Sequence, residues 1–287
     1  MKIIKYFLEA VFIYTFFIII KIFGSRVSKN IFIFIFKKVG PIIRSNLIIE
    51  NNLKIINNNK EIKDIKQIIS NMWSNYAMVF VEYLFLKNFR IKNSHISIKG
   101  LDVLKKVASE KKPVIFVSGH FANFELMSME ITKAGVDLAT IYRPLNNIFL
   151  NPFMEYVRRK YVCQNQIKKG ISGIRHSVEY LKKNHSIALM IDQRVSEGRK
   201  IPLFKKNALT TTLPAQLALK FNCAIIPIYI RRTNSKNFEM IVEQPINTNN
   251  FREEENKIEI SIRLNKILEE MIKKDPSQWI LTHNRWK

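Results

Sequence analysis

Two residues in this chain have the types and the setting for acid–base chemistry: His120 and Glu125, in the stretch PVIFVSGHFANFE at 113–125. Histidine exchanges a proton near neutral pH. A carboxylate that holds one imidazole nitrogen leaves the other free to take a proton from a hydroxyl. Five residues of helix rotate a side chain through about 500°, so the two would not share a helical face. They meet only if His120 precedes the helix. The sequence favours that arrangement. Residues 114–118 form a short apolar β-type run, Gly119 breaks it, and a helical pattern occupies 122–134. A helix-capping histidine beside a solvated glutamate would give the same letters.

The elements that must position these residues are legible from 95 onward. Strand-like runs at 95–99, 114–118, 138–142, 187–191 and 224–230 alternate with helical patterns at 101–110, 122–134, 148–161, 171–183 and 213–221. A further strand at 238–242 reads as an edge, and a long helix at 253–273 closes the core. Alternation of this kind predicts an α/β fold: a mixed, mainly parallel sheet flanked by helices. In such sheets, ligands sit at the carboxyl ends of strands. Three of the predicted strand ends carry a notable polar residue: His120, Arg143 and Asp192. A base, a cation and an acid are thus expected at one rim. Arg194 follows closely, and Arg143, Asp192 and Arg194 are read as substrate-binding. A structural salt bridge beneath the rim is the plainer use of the same three.

Upstream, the sequence divides differently. Residues 6–23 are apolar except for Glu9 and Lys21, long enough to serve as a membrane helix. Lys21, Arg26, Lys29, Lys37 and Lys38 follow the segment, against Lys2 and Lys5 before it, which predicts a body on the cytoplasmic face. The patch at 31–36, flanked by lysines, suits an anionic leaflet. Residues 51–60 read as a polar loop, and 65–86 as a helix with a mostly apolar face. The expected organisation is a membrane segment at 1–26, a helical membrane-associated region at 27–94 and an α/β domain at 95–287.

Composition narrows the partners. With 47 Lys and Arg against 23 Asp and Glu, the 287-residue chain carries a formal charge of +24. That points to acidic ligands, an acidic protein, an anionic membrane or nucleic acid. The basic residues are spread along the chain without a nucleic-acid motif, which argues against nucleic acid. No Gly-rich phosphate loop, GxSxG elbow or metal-ligand histidine pair is present, so no cofactor and no metal is expected. The two cysteines, Cys163 and Cys223, form no CxxC pair and fit a reducing compartment.

Several segments are distinctive together: HFANFE at 120–125, YRP at 142–144, DQR at 192–194 before a PLF stretch at 202–204, TTT before PA at 210–215, and the tail PSQWILTHNRW at 276–286. Together they resemble the lipid A biosynthesis late acyltransferases, within the larger glycerolipid acyltransferase-like group. The resemblance spans nearly the whole chain. It implies acyl transfer from acyl carrier protein to a hydroxyl on an acyl chain of a lipid A precursor, at the bacterial inner membrane. On that resemblance His120 corresponds to the base and Glu125 to its acidic partner. A related acyltransferase with another glycolipid acceptor or donor, and a non-enzymatic basic surface protein, are the competing readings.

Overall fold

The apolar N-terminus forms α1 (Lys2–Ile43), and the computed structural model, which describes residues 2–58, 64–248 and 256–287, bends it at Gly24. Gly24 has φ 71° and ψ 172°, a backbone conformation far more open to glycine than to other residues. The rings of Phe16 and Phe32, one on each side of the bend, stand 5.3 Å apart. Sixteen residues of straight helix would separate them by about 24 Å, so the two arms fold back toward each other. Both arms pack on Phe80 of α3 (Ile65–Tyr83). The first arm also runs along the body. Asn147 Nδ2 donates to Tyr6 O at 2.8 Å, Tyr14 donates to Phe149 O at 2.9 Å, and Lys21 Nζ donates to Leu84 O at 2.7 Å. The outer face leaves Ile4, Leu8, Phe12, Ile18 and Phe23 exposed, a stripe suited to lipid contact. By length and composition α1 is apolar enough to cross a membrane.

Two short helices flank α3: α2 (Asn46–Ile56) and α4 (Leu86–Ile91). Residues 51–56, expected as loop, are therefore helical; 59 and 60 lie outside the described residues. Despite its asparagines, α2 buries Ile49, Leu53 and Ile56 at helical spacing, and that apolar face decides its state.

From there the chain builds a seven-stranded sheet: β1 (Ile96–Lys99), β2 (Ile115–Ser118), β3 (Leu138–Tyr142), β4 (Asn165–Lys168), β5 (Ser186–Met190), and, after a separate hairpin of β6 (Arg199–Leu203) and β7 (Lys206–Thr210), β8 (Ile225–Arg232) and β9 (Phe238–Val242). The order is β1-β9-β8-β2-β5-β3-β4, parallel throughout except for the antiparallel β8–β9 pair. The expected edge position of β9 is corrected: β1 pairs outside it, from Ile96↔Phe238 to Lys99↔Ile241, so β9 is interior and β1 is the edge. At the other edge the polar β4, NQIK, has no apolar alternation to reveal it.

Helices cover both faces: α5 (Leu101–Glu110), α6 (Glu125–Lys133), α7 (Asn151–Val157) running into a π-turn at Arg158–Val162, α8 (Ile171–Lys182), α9 (Leu213–Phe221) and α10 (Asn256–Lys274). Residues 253–255 of the expected last helix lie outside the described residues. Alternate residues along β2 and β5 feed opposite layers, as strand pleating requires. Ile115, Val117, Ile187 and Leu189 pack with Leu53, Met72 and Trp73 of the N-terminal helices. Phe116 and Ala188 pack with Leu126 and Met129 of α6. The packing thus crosses residue 94 without a break. A buried ion cluster ties the same regions together. Glu82, fully buried, accepts from Arg232 at 2.6 and 2.8 Å, lies 2.7 Å from Lys29 of α1, and accepts from Asn123 at 3.1 Å.

Candidate active site

At the end of β2 the chain turns through Gly119, where a Cβ would come 2.7 Å from the ring of Phe121. The turn carries His120 just ahead of α6. Its amides are fixed: Phe121 N–H donates to Gly119 O and Ala122 N–H to Gln278 O, each at 2.9 Å. The neighbouring strand β5 ends two residues before Asp192. Because β2 and β5 pair in parallel, with Ser118 opposite Met190, their exits are adjacent. Asp192 Oδ1 stands 2.8 Å from His120 Nδ1, and Asp192 Oδ2 accepts from His120 N–H at 2.7 Å and from Trp279 Nε1–H at 2.9 Å. Burial alone would raise the Asp192 carboxyl. The His120 charge and the hydrogen bonds from His120 and Trp279 outweigh burial and hold it below the ordinary carboxylate range. The carboxylate therefore stays ionised and fixes the imidazole, and among the described residues Nε2 has no hydrogen-bond partner.

The sequence placed Glu125 in that role, and here the structure differs. Glu125 opens α6 and turns to Arg158, whose Nε and Nη2 donate to Oε1 at 2.8 and 2.6 Å. Asp192, expected among the substrate-binding residues, is 0% exposed and lies beneath His120. Sheet adjacency brings a residue 72 positions away closer to the ring than the glutamate five positions on.

Two chambers meet at His120. One, of about 410 Å³, is the more polar of the two, its lining including Thr140, Arg143, Lys169, Gln193 and His283. The other, of about 420 Å³, is apolar, with Ile13, Phe17 and Phe36 from α1 facing Val79, Phe80 and Phe153. His120, Phe124, Glu125, Leu145 and Arg158 border both. Of the expected site residues, His120, Glu125 and Arg143 thus reach the polar chamber. Arg194 does not line it; its main-chain N–H donates to His283 Nε2 at 2.9 Å. Arg143 is exposed at the mouth, close enough for its charge to depress Lys169 further after burial has already done so. Two cations near a polar opening suit an anionic ligand.

Sequence reasoning missed Arg158, Lys169 and the contribution of the tail. Arg158 had no visible cue inside an expected helix. From the tail, Trp279 holds the key carboxylate through its indole N–H. Among the described residues no group of three or more His, Cys, Asp or Glu is placed to hold a metal.

A polar chamber and an apolar chamber joined at a carboxylate-held histidine suit a reaction between a polar group and a fatty chain. The sequence pattern of the family described as "Bacterial lipid A biosynthesis acyltransferase" matches residues 1–287. The chain belongs to this family. It is similar to the lipid A biosynthesis palmitoleoyltransferase of Escherichia coli (strain K12), 26% identical over 232 residues, covering 77% of this chain and 72% of that one. It is also similar to the lipid A biosynthesis lauroyltransferase of the same strain, 23% identical over 192 residues, covering 66% and 60%. Among solved structures, the 1-acyl-sn-glycerophosphate acyltransferase of Thermotoga maritima aligns with a TM-score of 0.38 at 14% identity, covering 88% of this chain and 97% of that one. The protein is thus an acyltransferase of lipid A biosynthesis, and its exposed apolar helix is consistent with membrane association.

Proposed function

We propose that this acyltransferase moves a fatty acyl group from acyl carrier protein to a hydroxyl on an acyl chain of a lipid A precursor, late in lipid A assembly. His120 is the general base. Asp192 holds its Nδ1 side, and Nε2 takes the proton of the acceptor hydroxyl as the oxygen attacks the thioester carbonyl. Collapse breaks the carbon–sulfur bond, and the leaving thiolate takes the proton from His120. The acyl chain occupies the apolar chamber, where each buried methylene contributes about 0.8 kcal/mol. Arg143 and Lys169 receive anionic groups of the acceptor. Glu125 neutralises Arg158 and orients its guanidinium where the chambers meet. The net charge of +24 draws an acidic carrier protein and an anionic leaflet to the same side, which the reading places as the cytoplasmic face.

One observation carries this reading: the Asp192–His120 pair, 2.8 Å apart, stands where a polar and an apolar chamber join. The experiment is transfer from lauroyl-acyl carrier protein to a tetra-acylated lipid A precursor in detergent, with wild type and His120→Ala side by side. Loss of about 10²–10⁴-fold in the variant supports the base. Equal rates remove His120 from the mechanism, and no transfer by wild type with any chain length rejects the donor and acceptor pairing.

A further inference from the structure

As a thioester is attacked, negative charge builds on its carbonyl oxygen, and that charge needs a fixed hydrogen-bond donor. Three amides of the β2–α6 turn are already engaged and do not supply one. His120 N–H is bound to Asp192, Phe121 N–H to Gly119 O and Ala122 N–H to Gln278 O. A side chain of the same chamber can supply it.

His283 lines that chamber with His120. Its Nε2 accepts a hydrogen bond from Arg194 N–H at 2.9 Å. A main-chain N–H can only donate, so Nε2 carries no proton and the neutral ring must carry one on Nδ1. Among the described residues that Nδ1–H has no protein acceptor, and it is not sealed in the interior. The backbone beneath it is anchored: Asn52 Nδ2 donates to His283 O at 2.8 Å, and His283 N–H donates to Ile280 O. Burial pushes His283 below its ordinary value, and Arg285, His120 and Arg194 add to the effect against the pull of Asp192. At neutral pH the ring is therefore an uncharged, single-tautomer donor without a protein partner.

We propose that His283 is a second catalytic imidazole, whose Nδ1–H stabilises the developing oxyanion while His120 Nε2 takes the hydroxyl proton. This rests on the acyl-transfer reading above. The proton of His283 is shared with the oxygen and never transferred; the one that moves passes from the hydroxyl to His120 and on to the thiolate.

Two variants of the full chain separate this role from simple support of Arg194. In His283→Gln the side-chain carbonyl reaches the Nε2 position and still accepts from Arg194 N–H, but no donor remains at the Nδ1 position. In His283→Asn the amide restores a donor near Nδ1 and leaves Arg194 N–H unmet. The proposal expects kcat to fall about 10²–10³-fold in His283→Gln with little change in KM, and His283→Asn to retain markedly more turnover despite a lower Tm. The reverse order, or equal losses, overturns it. Hydrolysis of lauroyl-acyl carrier protein by water, measured in the same series without acceptor, tests His283 even where the lipid A acceptor proves wrong. A third measurement needs no turnover. The ¹⁵N spectrum of histidine-labelled protein in micelles should show His283 neutral with its proton on Nδ1, and a proton on Nε2 overturns the proposal whatever the kinetics.

Discussion

Replacing Asp192 by Asn changes one atom at the centre of the site. The carboxylate accepts three hydrogen bonds, two of them at Oδ2, from His120 N–H and Trp279 Nε1–H, and the third contact is Oδ1 with His120 Nδ1. An amide has one oxygen and one NH₂. Facing Oδ2's position are two groups that can only donate, so the amide oxygen must take that side. Its NH₂ then faces His120 Nδ1, which becomes an acceptor, and the ring proton moves to Nε2. The base arrives at the acceptor hydroxyl already protonated on the wrong nitrogen. The expected loss in kcat is about 10²–10⁴-fold, the full worth of general-base catalysis; the same substitution in the serine-protease triad costs about 10⁴ for the same tautomer reason. Because the Oδ2 bonds survive, Tm should move little. In Asp192→Ala the two N–H groups lose their acceptor, at about 1–3 kcal/mol each, and the fold suffers too. The assay is acyl transfer from lauroyl-acyl carrier protein, paired with thermal unfolding and run alongside Glu125→Gln. Asp192→Asn activity within about threefold of wild type, together with collapse in Glu125→Gln, would refute the geometry and return the orienting role to Glu125.

Three further outcomes follow from the same contacts. Glu82→Gln leaves Arg232 and Lys29 facing a neutral group in a fully buried site, and should cost about 3–5 kcal/mol. Arg232 and Lys29 hold Glu82 below its ordinary value against burial. Its contribution is thus complete above the unfolded carboxylate value of about 4.3 and is lost as pH falls through the lower folded value. A Tm series from pH 3 to 7 should show a flatter acid limb in the variant, and an unchanged limb counts against the cluster. Val79→Trp narrows the apolar chamber. Each methylene denied burial at about 0.8 kcal/mol lowers kcat/KM about fourfold, so competition between donors of different length should shift toward shorter chains; an unaltered profile places the acyl chain elsewhere. Arg143→Ala with Lys169→Ala should raise the acceptor KM about tenfold or more, as loss of a charged hydrogen bond of about 1.5–3 kcal/mol requires, and should flatten its salt dependence. A KM unchanged at low salt would show that the acceptor's anions bind away from this mouth.

The sequence made the rim legible but not its internal pairing. His120, Arg143 and the DQR segment stand after β2, β3 and β5, and strand runs of four or five apolar residues were enough to place them at one end of a parallel sheet. Which of them touch depends on strand order, and β5 lies between β2 and β3 for reasons spread over the whole core. The local spacing from His120 to Glu125 was visible and suggested a contact that a distant residue makes instead. The edge strand β4 and the hairpin β6–β7, rich in Lys, Asn and Arg, carry little alternation to read, and the hairpin turn uses Phe204 and Lys205 at φ 52° and 61° rather than glycine. The helical spacing of Ile49, Leu53 and Ile56 in α2 was readable; the surrounding asparagines masked it.

The tail that closes the site also sets when it can work. Gln278 pins the His120 turn, Trp279 grips Asp192, and His283 enters the polar chamber, all from a segment synthesised after every strand of the sheet. Trp279 follows Asp192 by 87 residues, so at about 5–20 residues per second the carboxylate waits roughly 4–17 s for its indole. During that interval the sheet can form and the first helix can meet lipid, while the histidine turn still lacks its clamp. Translation itself thereby delays reactivity: Ile280 and Thr282 of the same tail also line the apolar chamber, so that chamber and the clamped histidine are completed together.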